Sequence, residues 1–235
     1  MNKLVVFTMG GKGGVGKTAS LVSLVEYYDE NKISRKLIDC DMENKKAGSL
    51  KRFFPEAEKI NIRQPNGLDV FIDIASSEDS PVVVADLGAG SSVDLIGWFE
   101  EMYPAANDLG IMFLAIGSVT ANPGSIETVF NWGKALQQRV KYLIIKNTFQ
   151  GIPDLWITGE KAIQFKEGFK TDEIEMKPRI PEWQTELENH GLTLTKAMDS
   201  SLPMFSKISA KCRLHMWRKQ IFNEFDRVKA ILLPA

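Results

Sequence analysis

The sequence predicts one α/β domain over residues 1–235, a doubly wound, mostly parallel sheet flanked by helices. Three observations predict it. Apolar, β-branched runs alternate with segments of three- and four-residue apolar spacing along most of the chain, with few long gaps. A glycine-rich loop, residues 10–18, separates the first such run from the first helical pattern. Two further runs close on acids, Asp39-Cys40-Asp41 and Asp86, and strand ends of open α/β sheets point into the ligand crevice.

Taken in order, Leu4 to Met9 reads as a buried parallel strand and Ala19 to Tyr28 as a helix whose Leu21, Leu24, Val25 and Tyr28 face the sheet. Between them, Gly11 to Thr18 meets the pattern G-x-x-x-x-G-K-[ST]. That context favours a phosphate loop over a chance glycine-rich turn. Backbone N–H groups of Gly11, Gly13, Gly14, Val15 and Gly16 would wrap a phosphate, and the positive end of the helix opening at Thr18 and Ala19 would add to the field. The pattern has Lys17 reach the β- and γ-phosphates of a nucleotide and the Thr18 hydroxyl ligate Mg²⁺.

Lys36 to Asp41 is a short strand ending in two acids, and Leu68 to Ala75 a short helix. Residues 42–68 are weakly patterned. There Lys45, Lys46, Lys51 and Arg52 precede Phe53-Phe54, equally a partner surface or a solvated helix face with an apolar anchor. Pro81 to Asp86 is an apolar run closing on an acid that would hold Mg²⁺ through water, and Leu87-Gly88-Ala89-Gly90 would let backbone approach the γ-phosphate. A helix from Val93 to Tyr103, a strand over 111–116, a helix from Pro123 to about Arg139 and a strand over 141–148 complete the alternation. Residues 151–177 read as an insertion or lid with Trp156 and Phe165 as anchors. A last helix spans 203–233, with Leu214, Trp217, Ile221, Phe225, Val228 and Leu232 on one stripe and Lys211, Arg218 and Lys229 beside it.

Lys-Gly-Gly-Val-Gly-Lys-Thr, from Lys12 to Thr18, resembles the deviant Walker A sequence of the MinD/ParA family of P-loop ATPases. Asp86-Leu-Gly-Ala-Gly90 resembles the second switch of the MinD branch, and Ile180-Pro181 with Gly191 and Leu192 resembles the late segment that frames adenine. The resemblance implies that Lys12 crosses a dimer interface to the partner's nucleotide. It implies that 39–46 is the first switch, with Asp41 positioning the attacking water and Asp39 near the metal, and that 86–92 is the second. It also implies that Asn147, at the end of its strand, hydrogen-bonds adenine. Plainer roles stand beside each: a solvated lysine at 12, turn or cap positions for Asp39, Asp41 and Asp86, a turn residue at 147. Where the family continues with Pro-Gln after the second aspartate, this chain has Met42-Glu43-Asn44.

The expected activity is Mg²⁺-dependent ATP hydrolysis that drives a homodimer in the ATP state, with an activating or cargo protein, in partitioning or spatial positioning. Carboxylate-activating synthetases of the dethiobiotin or cobyrinate type, and a non-hydrolysing nucleotide-binding adaptor, are the other classes; the synthetases usually lack a lysine at the place of Lys12. Net charge −1 with 25% charged residues argues against a polycationic nucleic-acid binder, so DNA contact would rest on the local stripe of Lys211, Arg218 and Lys229. A packed helix with a solvated basic edge is the plainer reading. A terminal membrane helix is disfavoured by its internal acids and its Leu-Leu-Pro-Ala tail. Two distant cysteines, Cys40 and Cys212, suggest neither disulfide nor zinc, and with no apolar run near 18 residues the chain is expected in the cytoplasm.

Overall fold

The structure, a computed structural model, describes residues 2–42, 49–64, 66–77, 79–88 and 92–234, without the side chains of 92–94. Seven parallel strands form its sheet: β1 (Lys3–Thr8), β2 (Arg35–Asp39), β3 (Glu58–Lys59), β4 (Val82–Asp86), β5 (Ile111–Val119), β6 (Lys141–Asn147) and β7 (Thr171–Met176). They lie in the order β3-β2-β4-β1-β5-β6-β7. The chain winds outward from β1 on one side, returns to lay β4 beside it, then winds away on the other, so the loop after β1 emerges at the centre of the C-terminal edge.

Alternation along β1 explains the layering. Leu4 and Val6 face a core formed with helix α1 (Lys17–Glu30), α2 (Leu50–Phe53) and the end of α10 (Ile208–Arg227). Val5 and Phe7 face the opposite core, made with α3 (Gly67–Ser77), α4 (Ser92–Asp108), α5 (Pro123–Leu136), α6 (Asp154–Ile157) and α7 (Glu160–Gly168). A third, smaller cluster joins α8 (Pro181–His190), α9 (Leu194–Asp199) and the start of α10 through Leu187, Leu194, Phe205 and Leu214. Strands buried on both faces are apolar along their middles, which is why β1, β4, β5 and β6 are visible as runs.

Three expectations need correction. Residues 151–177 are not a lid: α6, α7 and the edge strand β7 occupy them, and Trp156 and Phe165 are buried against Phe130 in the core under β6. The strand Thr171-Asp-Glu-Ile-Glu-Met176 carries only Ile174 and Met176 inward, and its charged residues are those of a sheet edge. The last helix covers Ile208–Arg227 rather than 203–233, with a separate 3₁₀ turn at Lys229–Ile231. Its basic stripe is broken at the centre: the Arg218 guanidinium pairs with Glu30 at 2.7 Å and stacks over Phe222 at 4.4 Å. Within 42–68, Phe53 and Phe54 are buried, so the apolar-anchor reading holds there, and Arg52 donates to the Glu188 carbonyl at 2.8 Å. Residues 43–46 of the first expected switch and 89–91 of the second lie outside the described residues. No helix among the described residues is long and apolar enough to cross a membrane.

Candidate nucleotide site

The loop between β1 and α1 is shaped by glycines that no other residue replaces. Gly14 has φ +72° and Gly16, which caps α1, has φ +88°, both in the left-handed region. A Cβ on Gly16 would lie 2.3 Å from the Asn147 Nδ2, so the position is closed to side chains by sterics as well. No side chain caps α1, so the first N–H groups of this 14-residue helix have no side-chain acceptor.

Lys17, at the first position of α1, folds back and its Nζ donates to the Lys12 carbonyl at 2.7 Å. Burial pushes its ammonium down from the ordinary lysine range, against the opposing pull of Asp86 and Asp41. Lys12 is exposed, and its backbone N–H donates to Thr128 on α5 at 3.5 Å. Trp132, one turn further along α5, donates through Nε1 to the Gly10 carbonyl at 2.8 Å from within the core, stacked at a tilt on Phe7. The loop therefore rests on α5 at two points.

Asp86, at the end of β4, is 2% exposed. Thr18 Oγ1 donates to one of its carboxylate oxygens at 2.8 Å and Thr8 Oγ1 to the other at 3.0 Å. Burial dominates over those two hydrogen bonds, and with Asp39 and Asp41 nearby the carboxyl is pushed up to about 7. Among the described residues no cluster of three or more His, Cys, Asp or Glu side chains is arranged to hold a metal ion. The Thr18 hydroxyl and Asp86 carboxylate are nonetheless the hard oxygen donors that suit Mg²⁺, an ion that completes its shell with phosphate oxygens and water. The site fits that ion.

Asp39 and Asp41 divide differently. Both oxygens of Asp39, fully buried, are engaged by the chain itself: Oδ1 by the Asp41 N–H at 3.0 Å and Lys59 Nζ at 3.1 Å, Oδ2 by Ser49 Oγ at 2.8 Å and the Lys51 N–H at 2.9 Å. The resemblance sets Asp39 near the metal; in this structure its two oxygens anchor the chain leaving β2. Lys59 Nζ also donates to the Asp41 carbonyl. The Asp41 side chain lies against Gly88, where an added Cβ would come within 3.1 Å of its Cα and Oδ1. Thus the start of the first expected switch touches the start of the second.

Beside Gly14, Gly16 and Ala19 a cavity of about 260 Å³ opens, walled on its far side by Pro181, Gln184 and Arg179. Asn147 and Pro181 both line it. Asn147, 3% exposed, donates from Nδ2 to the Val15 carbonyl at 3.1 Å and accepts from the Phe149 N–H at 3.4 Å, so it ties the phosphate loop to β6. Sequence reading misses Thr8, Thr128 and Trp132. Thr8 carries a signal, a hydroxyl inside an otherwise apolar buried strand; Trp132 carries none, because its place in the stripe of α5 is that of any core residue.

No protein-family model matches the chain. The protein MobD of Acidithiobacillus ferrooxidans is 24% identical over 136 residues, 58% of this chain and 60% of that protein, so the match spans less than two thirds of MobD's length. Among solved structures, the MinC:MinD cell division protein complex of Aquifex aeolicus aligns at 16% identity over 97% of this chain and 96% of that one, TM-score 0.53. A ParA family ATPase from Chlorobium tepidum TLS aligns at 12% identity over 93% and 98%, TM-score 0.54. A putative plasmid partition protein from Borrelia burgdorferi B31, bound to AMPPNP, aligns at 13% over 92% and 99%, TM-score 0.50. The chain has the P-loop NTPase fold of these MinD and ParA structures.

Proposed function

We propose that this chain is a Mg²⁺-dependent ATPase that uses ATP to close a homodimer, and that it works with an activating or cargo protein in partitioning or spatial positioning. The observation that carries the reading is the clamp of Thr18 and Thr8 on the buried Asp86, set beside a glycine loop from which Lys17 projects. Fold likeness to MinD and ParA structures supports it.

In this reading Gly11, Gly13, Gly14, Val15 and Gly16 wrap the phosphates, with Ala19 against the base side of the loop. Lys17 exchanges one oxygen acceptor for another, leaving the Lys12 carbonyl for the β- and γ-phosphates. Thr18 and Asp86 hold Mg²⁺, which when bound neutralises the charge on the transferring phosphoryl group. Asp41, its main chain fixed by Asp39 and Lys59, orients water at the γ-phosphate. Asp39 acts on the metal only through that anchoring. Lys12, exposed on the loop, meets the nucleotide of the facing subunit. Cargo contact falls to a partner protein, because the basic stripe on α10 is broken at Arg218.

Calorimetric titration with Mg·ATP tests this. Wild-type protein binds, and Lys17→Ala weakens binding by about 1.5–3 kcal/mol or more, the worth of a charge-assisted phosphate contact. Equal affinity in the two proteins refutes the assignment.

A further inference from the structure

Resting on the reading of this pocket as a nucleotide site, we infer that Gln184, held in one orientation by Arg179 and Glu188, sets the choice of a 6-aminopurine over a 6-oxopurine base. Gln184 lies in the first turns of α8, half-buried, on the wall of the 260 Å³ cavity beside the phosphate loop. Arg179 Nη1 donates to its Oε1 at 3.2 Å, and its Nε2 donates to Glu188 Oε1 at 2.8 Å. A carboxamide has two acceptor sites and two N–H groups. Each end of Gln184 therefore keeps one for a ligand.

A free amide reads adenine and guanine alike. Adenine's edge places an amino hydrogen beside the N1 acceptor, guanine's a carbonyl beside an N1–H, and a flip of the amide serves either. Here the flip is blocked. Reversal would turn the amide N–H groups toward the Arg179 guanidinium, which has only donors, and Oε1 toward the Glu188 carboxylate, which has only acceptors. For a base seated in one pose the amide then presents one polarity, and the unmatched purine leaves buried polar groups without partners. Arg179 is itself steadied by Ser23 of α1, to whose Oγ it donates at 3.0 Å. The polarity is thus fixed from the phosphate-loop helix outward.

The test is the ratio of ATP to GTP affinity, measured by titrating full-length protein with each nucleotide and Mg²⁺. Wild type prefers ATP. Gln184→Glu keeps an acceptor for Arg179 but replaces the donor facing N1 with a second acceptor, which suits the adjacent N1–H and amino group of guanine. The ATP preference should fall by at least about tenfold, as loss of one good bidentate base contact implies. Glu188→Gln removes one half of the lock, since Gln can accept or donate, and leaves Gln184 in place with Arg179 alone on Oε1: GTP affinity should rise while ATP affinity stays within about threefold, a pattern that a merely structural role for α8 would not give. If Gln184→Glu does not fold, as judged by its thermal melt, Glu188→Gln decides alone. A wild type that binds no nucleotide overturns both the reading of the pocket and this inference. A wild type that binds ATP through Lys17, with an ATP-to-GTP ratio unmoved in the variants, overturns this inference alone.

Discussion

Asp86 is buried to 2% exposure with hydroxyls on both oxygens, and it is the residue where folding and ligand binding oppose each other. Its carboxyl titrates near 7 in the folded chain against an ordinary 3.8. The folded state therefore holds this proton more tightly than the unfolded state does. The stabilisation is complete below pH 3.8, fades as pH rises toward 7 and is gone above it, and the full span is worth on the order of 4 kcal/mol. Asp86→Asn cannot ionise, and the rotating hydroxyls of Thr8 and Thr18 can partner its amide. Without nucleotide the variant should melt above wild type at pH 8, with the gap closing toward pH 4. With Mg·ATP at pH 8 the order should reverse, because wild type alone offers a carboxylate to the metal. Melting curves from pH 4 to 8, with and without Mg·ATP, check both signs; a gap that does not narrow in acid contradicts the account.

At the scale of elements, the phosphate loop is held by its neighbours more than by itself. Among the described residues, α5 and β6 hold it at three points: Trp132 of α5 to the Gly10 carbonyl, Thr128 of α5 to the Lys12 N–H, and Asn147 of β6 to the Val15 carbonyl. Helix α5 is thus both a core element and the floor of the loop. Trp132→Phe keeps an aromatic ring near Phe7 but leaves the buried Gly10 carbonyl without its donor. It should cost about 1–3 kcal/mol in urea unfolding. Because the loop loses a support, Mg·ATP affinity should fall too. A variant as destabilised as expected but with wild-type affinity would mean that α5 serves the core alone.

For the whole molecule, the order β3-β2-β4-β1-β5-β6-β7 brings the ends of β1, β2 and β4 together at one edge, where Lys12 is exposed on the loop after β1. A second copy approaching that edge would meet two exposed lysines across a two-fold axis, each needing γ-phosphate charge to offset its desolvation. ATP, not ADP, should therefore drive dimers. Light scattering in an Asp41→Ala background, which should bind ATP without hydrolysing it, isolates the role of Lys12. Adding Lys12→Ala should leave an ATP-bound monomer, and since Lys17, Thr18 and the glycines of the loop are untouched, ATP binding itself should persist. Dimers that form without Lys12 would remove it from the interface.

The sequence by itself determined whatever rests on local pattern. Strands buried on both faces must be apolar, so β1, β4, β5 and β6 stood out, and a phosphate loop needs glycines and a lysine at fixed spacing, so residues 10–18 were legible. Trp156 and Phe165 were legible as anchors because large aromatic rings seek burial. The tertiary structure alone decided what depends on which segments meet. The edge strand β7 was hidden, since a strand covered on one side keeps its charges, and 151–177 therefore looked like a lid. Arg218 looked free on its helix until Glu30, 188 residues away in sequence, came to pair with it. Asp39 and Asp41 are alike as residues, one apart on one strand end. Only the arrival of Ser49, Lys51 and Lys59 makes Asp39 an anchor, while the Asp41 side chain packs against Gly88, because a side chain's partners are set by neighbours in space rather than by neighbours in sequence.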